Sequence, residues 1–200
     1  MENITLISCS LFRSEIELLR SSQELKMPVV YLNSVLHIYP EKLRTVMDKV
    51  ILREIKKGQK VVLLYGECHA YISDYVKHPD VERVKGLNCI EIILGKEQYK
   101  RIQKDRIFCF MPEWINRWED IFKSHLGLNR ENARAFMKDM HSKAVYIDTG
   151  VAPIPSKIIQ DIEDYIGLSM DIMPVNLNQL LGSINQASKK FIKICHEEDI

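Results

Sequence analysis

The sequence predicts an α/β protein built on a mostly parallel sheet flanked by helices on both faces, Rossmann-like but without a dinucleotide fingerprint. Three observations carry that prediction. Short β-branched runs recur along the chain, amphipathic patterns lie between many of them, and cysteines or a histidine stand just past several of the runs. Runs that are apolar at nearly every position fit strands buried on both faces.

Ile4–Ser8, Val29–Leu32, Val61–Tyr65, Phe108–Phe110, Val145–Ile147, Met170–Met173 and Phe191–Ile194 read as strands, with a shorter one at Val81–Val84. Glu15–Arg20, Glu41–Lys57, Pro155–Gly167 and Asn176–Ile184 carry apolar residues at the spacing of a helix face. In the second of these, Leu43, Val46, Met47, Val50, Ile51 and Ile55 form one stripe, and Gly58 supplies the stop. The stretch from Cys89 suits a strand or a helix, and Ile90, Ile93, Leu94 and Ile102 favour helix. That reading places Cys89 at a helix N-terminus, where the dipole favours thiolate. Trp114 to Lys143 is helical with a break at Gly127-Leu128-Asn129. The chain is thus one α/β domain over residues 1–200, or two lobes at 1–127 and 128–200.

Lys and Arg number 28 against 27 Asp and Glu, a net charge of +1, which leaves no broad basic field for nucleic acid or a membrane surface. The first apolar run is too short for a signal segment or a membrane span, so the expected location is cytoplasmic. Five cysteines form an odd set without disulfide-scaffold spacing, and in a reducing compartment such residues are buried, catalytic or metal-binding. No CxxC pair is present, so any metal site must be assembled by the fold.

The carboxyl ends of parallel strands share one edge, where residues distant in sequence converge. Cys9, Cys68 and Cys89 follow three strand-like runs and His37 follows another. Three sulfurs and an imidazole suit tetrahedral zinc; three sulfurs alone leave an open position on the metal, and an iron–sulfur cluster is the less favoured occupant. His69, next to Cys68, is the alternative imidazole, and Glu67 is either an acid/base or a solvated loop carboxylate. Asp148, closing Tyr146-Ile147-Asp148-Thr149-Gly150, either binds a ligand hydroxyl or makes ordinary turn bonds, with Gly150 admitting close backbone approach. Cys109, Cys195, Trp114, Trp118 and the methionines at 137, 140, 170 and 173 read as core. GxGxxG, GxxxxGK[ST] and GxSxG are absent, which removes most support for nucleotide-dependent catalysis and serine hydrolysis, whereas a metal-free Cys–His nucleophile stays open.

Over nearly its whole length the sequence resembles the domain of unknown function 1638 family. Ile7-Ser8-Cys9 followed by Leu-Phe-Arg-Ser-Glu-Ile-Glu is similar to that family's first strand, cysteine and helix, and Leu36-His37 with Pro40-Glu41-Lys42-Leu43 to its Leu-His segment. Tyr65-Gly66-Glu67-Cys68 resembles its Tyr-Gly-x-Cys turn, Asn88-Cys89 through Leu94-Gly95 and Tyr99 its cysteine helix, Pro112-Glu113-Trp114-Ile115 its Pro-Gly-Trp-Ile element, and Tyr146 to Gly150 its tyrosine–aspartate turn. The resemblance implies a metal or cofactor site on the cysteines and His37, with Tyr65, Gly66, Asp148 and Gly150 against the cofactor. It also implies a link to corrinoid chemistry, with a methyltransferase or corrinoid protein as partner, in an enzyme or a non-catalytic accessory protein. Two positions depart from the family: Leu87-Asn88 stands where His-Asp is usual, and His69 where a glycine follows the second cysteine.

Overall fold

The structure is a computed structural model that describes residues 3–67 and 71–194, with side chains to residue 192. Cys68, His69 and Cys195 therefore lie outside the described residues. The chain divides into two compact units, one formed by the residues up to Gly95 together with those from Leu177 onward, the other by Lys96–Asn176.

The first unit begins with β1 (Ile4–Cys9), a 3-10 turn (Ser10–Phe12) and α1 (Arg13–Ser21). It continues through β2 (Val29–Leu32), a 3-10 turn (Ser34–Ile38), α2 (Pro40–Lys56), β3 (Lys60–Leu64), α3 (Ile72–Tyr75), β4 (Val81–Arg83) and α4 (Cys89–Leu94). The second unit runs α5 (Lys96–Lys104), β5 (Ile107–Phe110), α6 (Pro112–Ile115), a π-helix (Asp120–His125), α7 (Arg130–Met140), β6 (Lys143–Asp148), α8 (Ser156–Ile166) and β7 (Met170–Pro174). The chain then returns to the first unit as α9 (Asn178–Ile194).

The α/β expectation is met by two parallel sheets rather than one: β2-β1-β3-β4 in the first unit and β5-β6-β7 in the second. In the first sheet every residue of β1 is buried, and Val61, Val62, Leu63 and Leu64 of β3 are wholly inaccessible. Successive strand residues point to opposite faces, so burial of all four means that both faces are covered, and α2 and α9 both pack against β3. Each such side chain contributes roughly 1.5–3 kcal/mol of transfer free energy. The apolar runs thus read as central strands because the fold covers them twice. In the second unit β6 is buried along most of its length, while β7 is exposed at Asp171, Ile172 and Pro174, as an edge strand with one neighbour.

α2 shows how the pattern selects its face. Leu43, Met47 and Ile51 are buried, Val46, Val50 and Ile55 half-buried, and Gly58 follows the helix at φ +78°, a conformation that glycine adopts without steric cost. The buried stripe is completed by Glu54, whose carboxylate is held by Arg53 Nε at 2.7 Å and Lys57 Nζ at 2.9 Å.

Two sequence expectations are corrected. Phe191–Ile194, read as a strand, is the last turn of α9: a run of four residues, three of them apolar, is too short to distinguish strand from helix, and here it continues a helix begun at Asn178. Met140 is half-exposed at the end of α7 rather than core, while Met137 and Met170 are buried and Met173 is partly so. Trp118 lies in the second unit's core with Phe110, Phe122 and Tyr146, and Trp114 is half-buried. Cys109 is buried in β5, and that burial pushes its thiol up to about 12. Gly127-Leu128-Asn129 is the loop between the π-helix and α7, where Asn129 caps α7 by accepting from Asn132 N at 2.9 Å.

Candidate functional site

In the order β2-β1-β3-β4 the chain steps to one side of β1 and then crosses to the other, so the topological switch lies between β1 and β3. Crevices at the carboxyl ends of the strands flanking such a point are the usual ligand sites of open α/β sheets. Ser8 pairs in register with Leu64, so Cys9 and Tyr65 are the next residues along neighbouring strands. Both are buried, Cys9 at 6% exposure and Tyr65 at 3%.

Two local devices draw further segments to this edge. Ser10, directly after Cys9, accepts a hydrogen bond at its Oγ from Ser34 N at 2.8 Å, which ties the turn after β1 to the turn after β2. That second turn is opened by Asn33, whose Oδ1 accepts from Val35 N at 3.0 Å, and it carries His37 on its exposed side. His37 Nδ1 donates to Ser34 O, which in the neutral ring places the lone pair on Nε2, the nitrogen a metal would take.

The second device joins the turn after β3 to the start of α4. Glu67 N donates to Leu87 O at 2.8 Å, and a Cβ placed on Gly66 would stand 2.5 Å from Asn88 Cα and 2.7 Å from Leu87 O. Only glycine allows that approach. Asn88 caps α4 by accepting from Glu91 N at 3.0 Å, and Glu91 reaches back to Leu87 N at 2.9 Å, a reciprocal arrangement close to a capping box. Cys89 is the first residue of α4 and is half-buried.

The structure therefore brings Cys9, Tyr65, Gly66, the His37 turn and Cys89 to the carboxyl edge of the first sheet. Cys68 and His69, the next residues after Glu67, are outside the described residues, and among those described no group of three His, Cys, Asp or Glu side chains is placed to hold a metal. Asp148 and Gly150 belong to the second unit, at the end of β6. There Asp148 Oδ1 accepts from Gly150 N at 3.0 Å, the self-closing turn that Asp-Thr-Gly sequences favour. Glu67 is half-exposed and held by Arg83 Nη2 at 2.7 Å.

Sequence reasoning assigned no role to Glu15 or Ser10 and did not identify Asn88 as a helix cap. Glu15, in the first turn of α1, is wholly buried, an expensive position for a carboxyl, and nothing in its sequence context marks it. Ser10 is equally silent. Asn88 had a readable signal in Asn88-Cys89-Ile90-Glu91, the spacing of a reciprocal cap.

No described helix is long and apolar enough to cross a membrane. A family model described as Protein of unknown function (DUF1638) matches residues 31–183. No curated protein and no solved structure was found to match the chain.

Proposed function

The chain belongs to the DUF1638 family of proteins of unknown function, and from that premise we propose that it is a cytoplasmic metal-binding protein with a thiolate site at the carboxyl edge of its first sheet. Cys9, Cys68 and Cys89 are its sulfur donors, His37 or His69 its imidazole, and zinc the metal this donor set suits; an iron–sulfur cluster or a corrinoid contact is the less favoured occupant. Tyr65 and Gly66 line the crevice beside it. The observation that supports the reading is the close approach of Gly66 to Leu87 and Asn88, which seats the segment leading to Cys68 against the segment leading to Cys89, one strand from Cys9. Zinc held by thiolates supplies a charge-stabilised sulfur nucleophile or a Lewis acid, which is the basis for a link to methyl transfer.

The test is metal analysis of protein purified without chelator, aerobically and anaerobically. About one equivalent of zinc per chain is expected, lost in Cys9→Ser, Cys68→Ser and Cys89→Ser. Less than about one-tenth equivalent of zinc or iron in every preparation ends the proposal.

A second reading, thiol chemistry without metal, draws support from the different exposures of two site cysteines: Cys89 is half-buried at a helix start, whereas Cys9 is nearly inaccessible. Alkylation of the metal-free protein at mildly acidic pH tests it, and a Cys89 no faster than a model thiol removes it. In an accessory version of either reading the partner is a corrinoid or methyltransferase protein, and copurification with a corrinoid-coloured protein is the expected sign.

A further inference from the structure

A cavity of about 370 Å3 opens in the first unit between the end of β4 and α9. Arg83 and Lys85 line one side and Lys189 and Lys190 the other, with Glu82 the one carboxylate among the described lining residues. Two of the four cations are already engaged. Arg83 Nη2 lies 2.7 Å from Glu67, and its Nη1 donates to Val84 O at 3.3 Å and Gly86 O at 3.4 Å. Lys190 Nζ lies 3.2 Å from Glu82 and donates to Val81 O at 3.4 Å. Lys85 and Lys189 are exposed and form no ion pair among the described residues. Ser183, also on the wall, accepts at Oγ from Gln179 Nε2 at 3.4 Å, which keeps its own hydroxyl hydrogen for a further acceptor.

We propose that this cavity binds a small phosphomonoester through its phosphate group. The two lysines outside the ion pairs match a dianion, whereas a carboxylate would leave one of them uncompensated. The Ser183 hydroxyl and the Gln186 amide add neutral donors on the same wall. The volume falls within the range of about 300–1,000 Å3 usual for small-molecule sites. A chain of net charge +1 has no field for a long polyanion, but four cations against two carboxylates, Glu82 and the Glu67 paired with Arg83, make a local well for a compact one. The cavity does not depend on the metal reading. It is, however, joined to that edge of the sheet, because the guanidinium on its wall is the one that holds Glu67 in the turn after Gly66. An anion that recruits Arg83 competes with Glu67 for it.

The experiment is titration of the full chain with inorganic phosphate and with phenyl phosphate at constant ionic strength, followed by calorimetry and amide NMR, with chloride and acetate as controls. Saturable binding of both phosphates is expected, with shifts confined to residues around 67, 82–86 and 183–190. The Lys85→Ala/Lys189→Ala double variant, which alters two exposed side chains, should lose about tenfold in affinity, and Glu67→Gln, which releases Arg83, should gain about threefold. Phosphate behaving like chloride, or a double variant that binds as the parent does, overturns the site. Acetate binding as tightly as phosphate overturns the dianion assignment, and an unchanged affinity in Glu67→Gln overturns the competition for Arg83.

Discussion

Gly66 and Asn88 touch backbone to backbone: a Cβ on Gly66 would lie 2.5 Å from Asn88 Cα and 2.7 Å from Asn88 N. None of those atoms belongs to a side chain that could turn aside, so Gly66→Ala must separate the turn after β3 from the start of α4. The expected cost is about 2–3 kcal/mol in chemical denaturation. If the thiolate site exists, bound metal falls with it even where the variant is folded by circular dichroism. A variant as stable as the parent would show that the two segments are not in contact.

His141 gives the second unit a pH dependence of known sign. Burial against Phe108, at a ring distance of 5.1 Å, holds the imidazole below its ordinary value, and the Arg106 backbone hydrogen bond only partly opposes this. The ring is neutral in both states above that ordinary value. As the pH falls below about 6.5 the unfolded chain takes up a proton that the folded chain refuses, so stability declines. Thermal melts between about pH 5 and 7 should show that slope, and His141→Phe should flatten it. Equal slopes in the two proteins would contradict the assignment.

Glu54 acts at lower pH. Burial pushes its carboxyl up, but hydrogen bonds from Lys57 and Arg53 outweigh burial and leave it below the ordinary carboxylate range. Its contribution is complete above the unfolded value and is lost as pH falls through the depressed folded one. Glu54→Ala should cost about 1 kcal/mol near neutrality. Urea melts of the two proteins should converge in acid, once both states of the parent are protonated.

Cys109 should be inert in the folded protein. With its thiol pushed up to about 12 by burial in β5, only about one molecule in ten thousand carries the thiolate at pH 8. Peptide mass spectrometry after brief iodoacetamide treatment of the metal-free protein should find Cys109 unmodified while the half-buried Cys89 is labelled. Equal labelling of both would mean that the second sheet opens readily.

Most of the fold was legible because its central strands are covered on both faces. Val29–Leu32 reads to the residue, and the other strands differ by a residue or two at their ends, which are set by hydrogen-bonded pairing rather than by side-chain polarity. The last turn of α9 reads as a strand because nothing in the four residues Phe191–Ile194 fixes a period. The division into two sheets was hidden for a different reason: strand pairing is set by packing, which a single sequence does not record. For the site, the convergence of Cys9, the His37 turn and Cys89 on one edge followed from parallel topology. The contact of Ser10 with Ser34 did not, because Ser10 carries no periodic or motif signal and its role depends on what the fold places beside it.

The return of α9 to the first unit has a consequence for biosynthesis. Residues 1–95 leave the ribosome well before residues 177–194, so the helix that packs on β3 and β4 is the last described piece to emerge. Until then the nascent first sheet lacks one of its two covers, while Lys96–Asn176 is a continuous stretch that can fold ahead of it. A stalled or truncated product ending near residue 176 would carry a finished second half and an open, aggregation-prone first half.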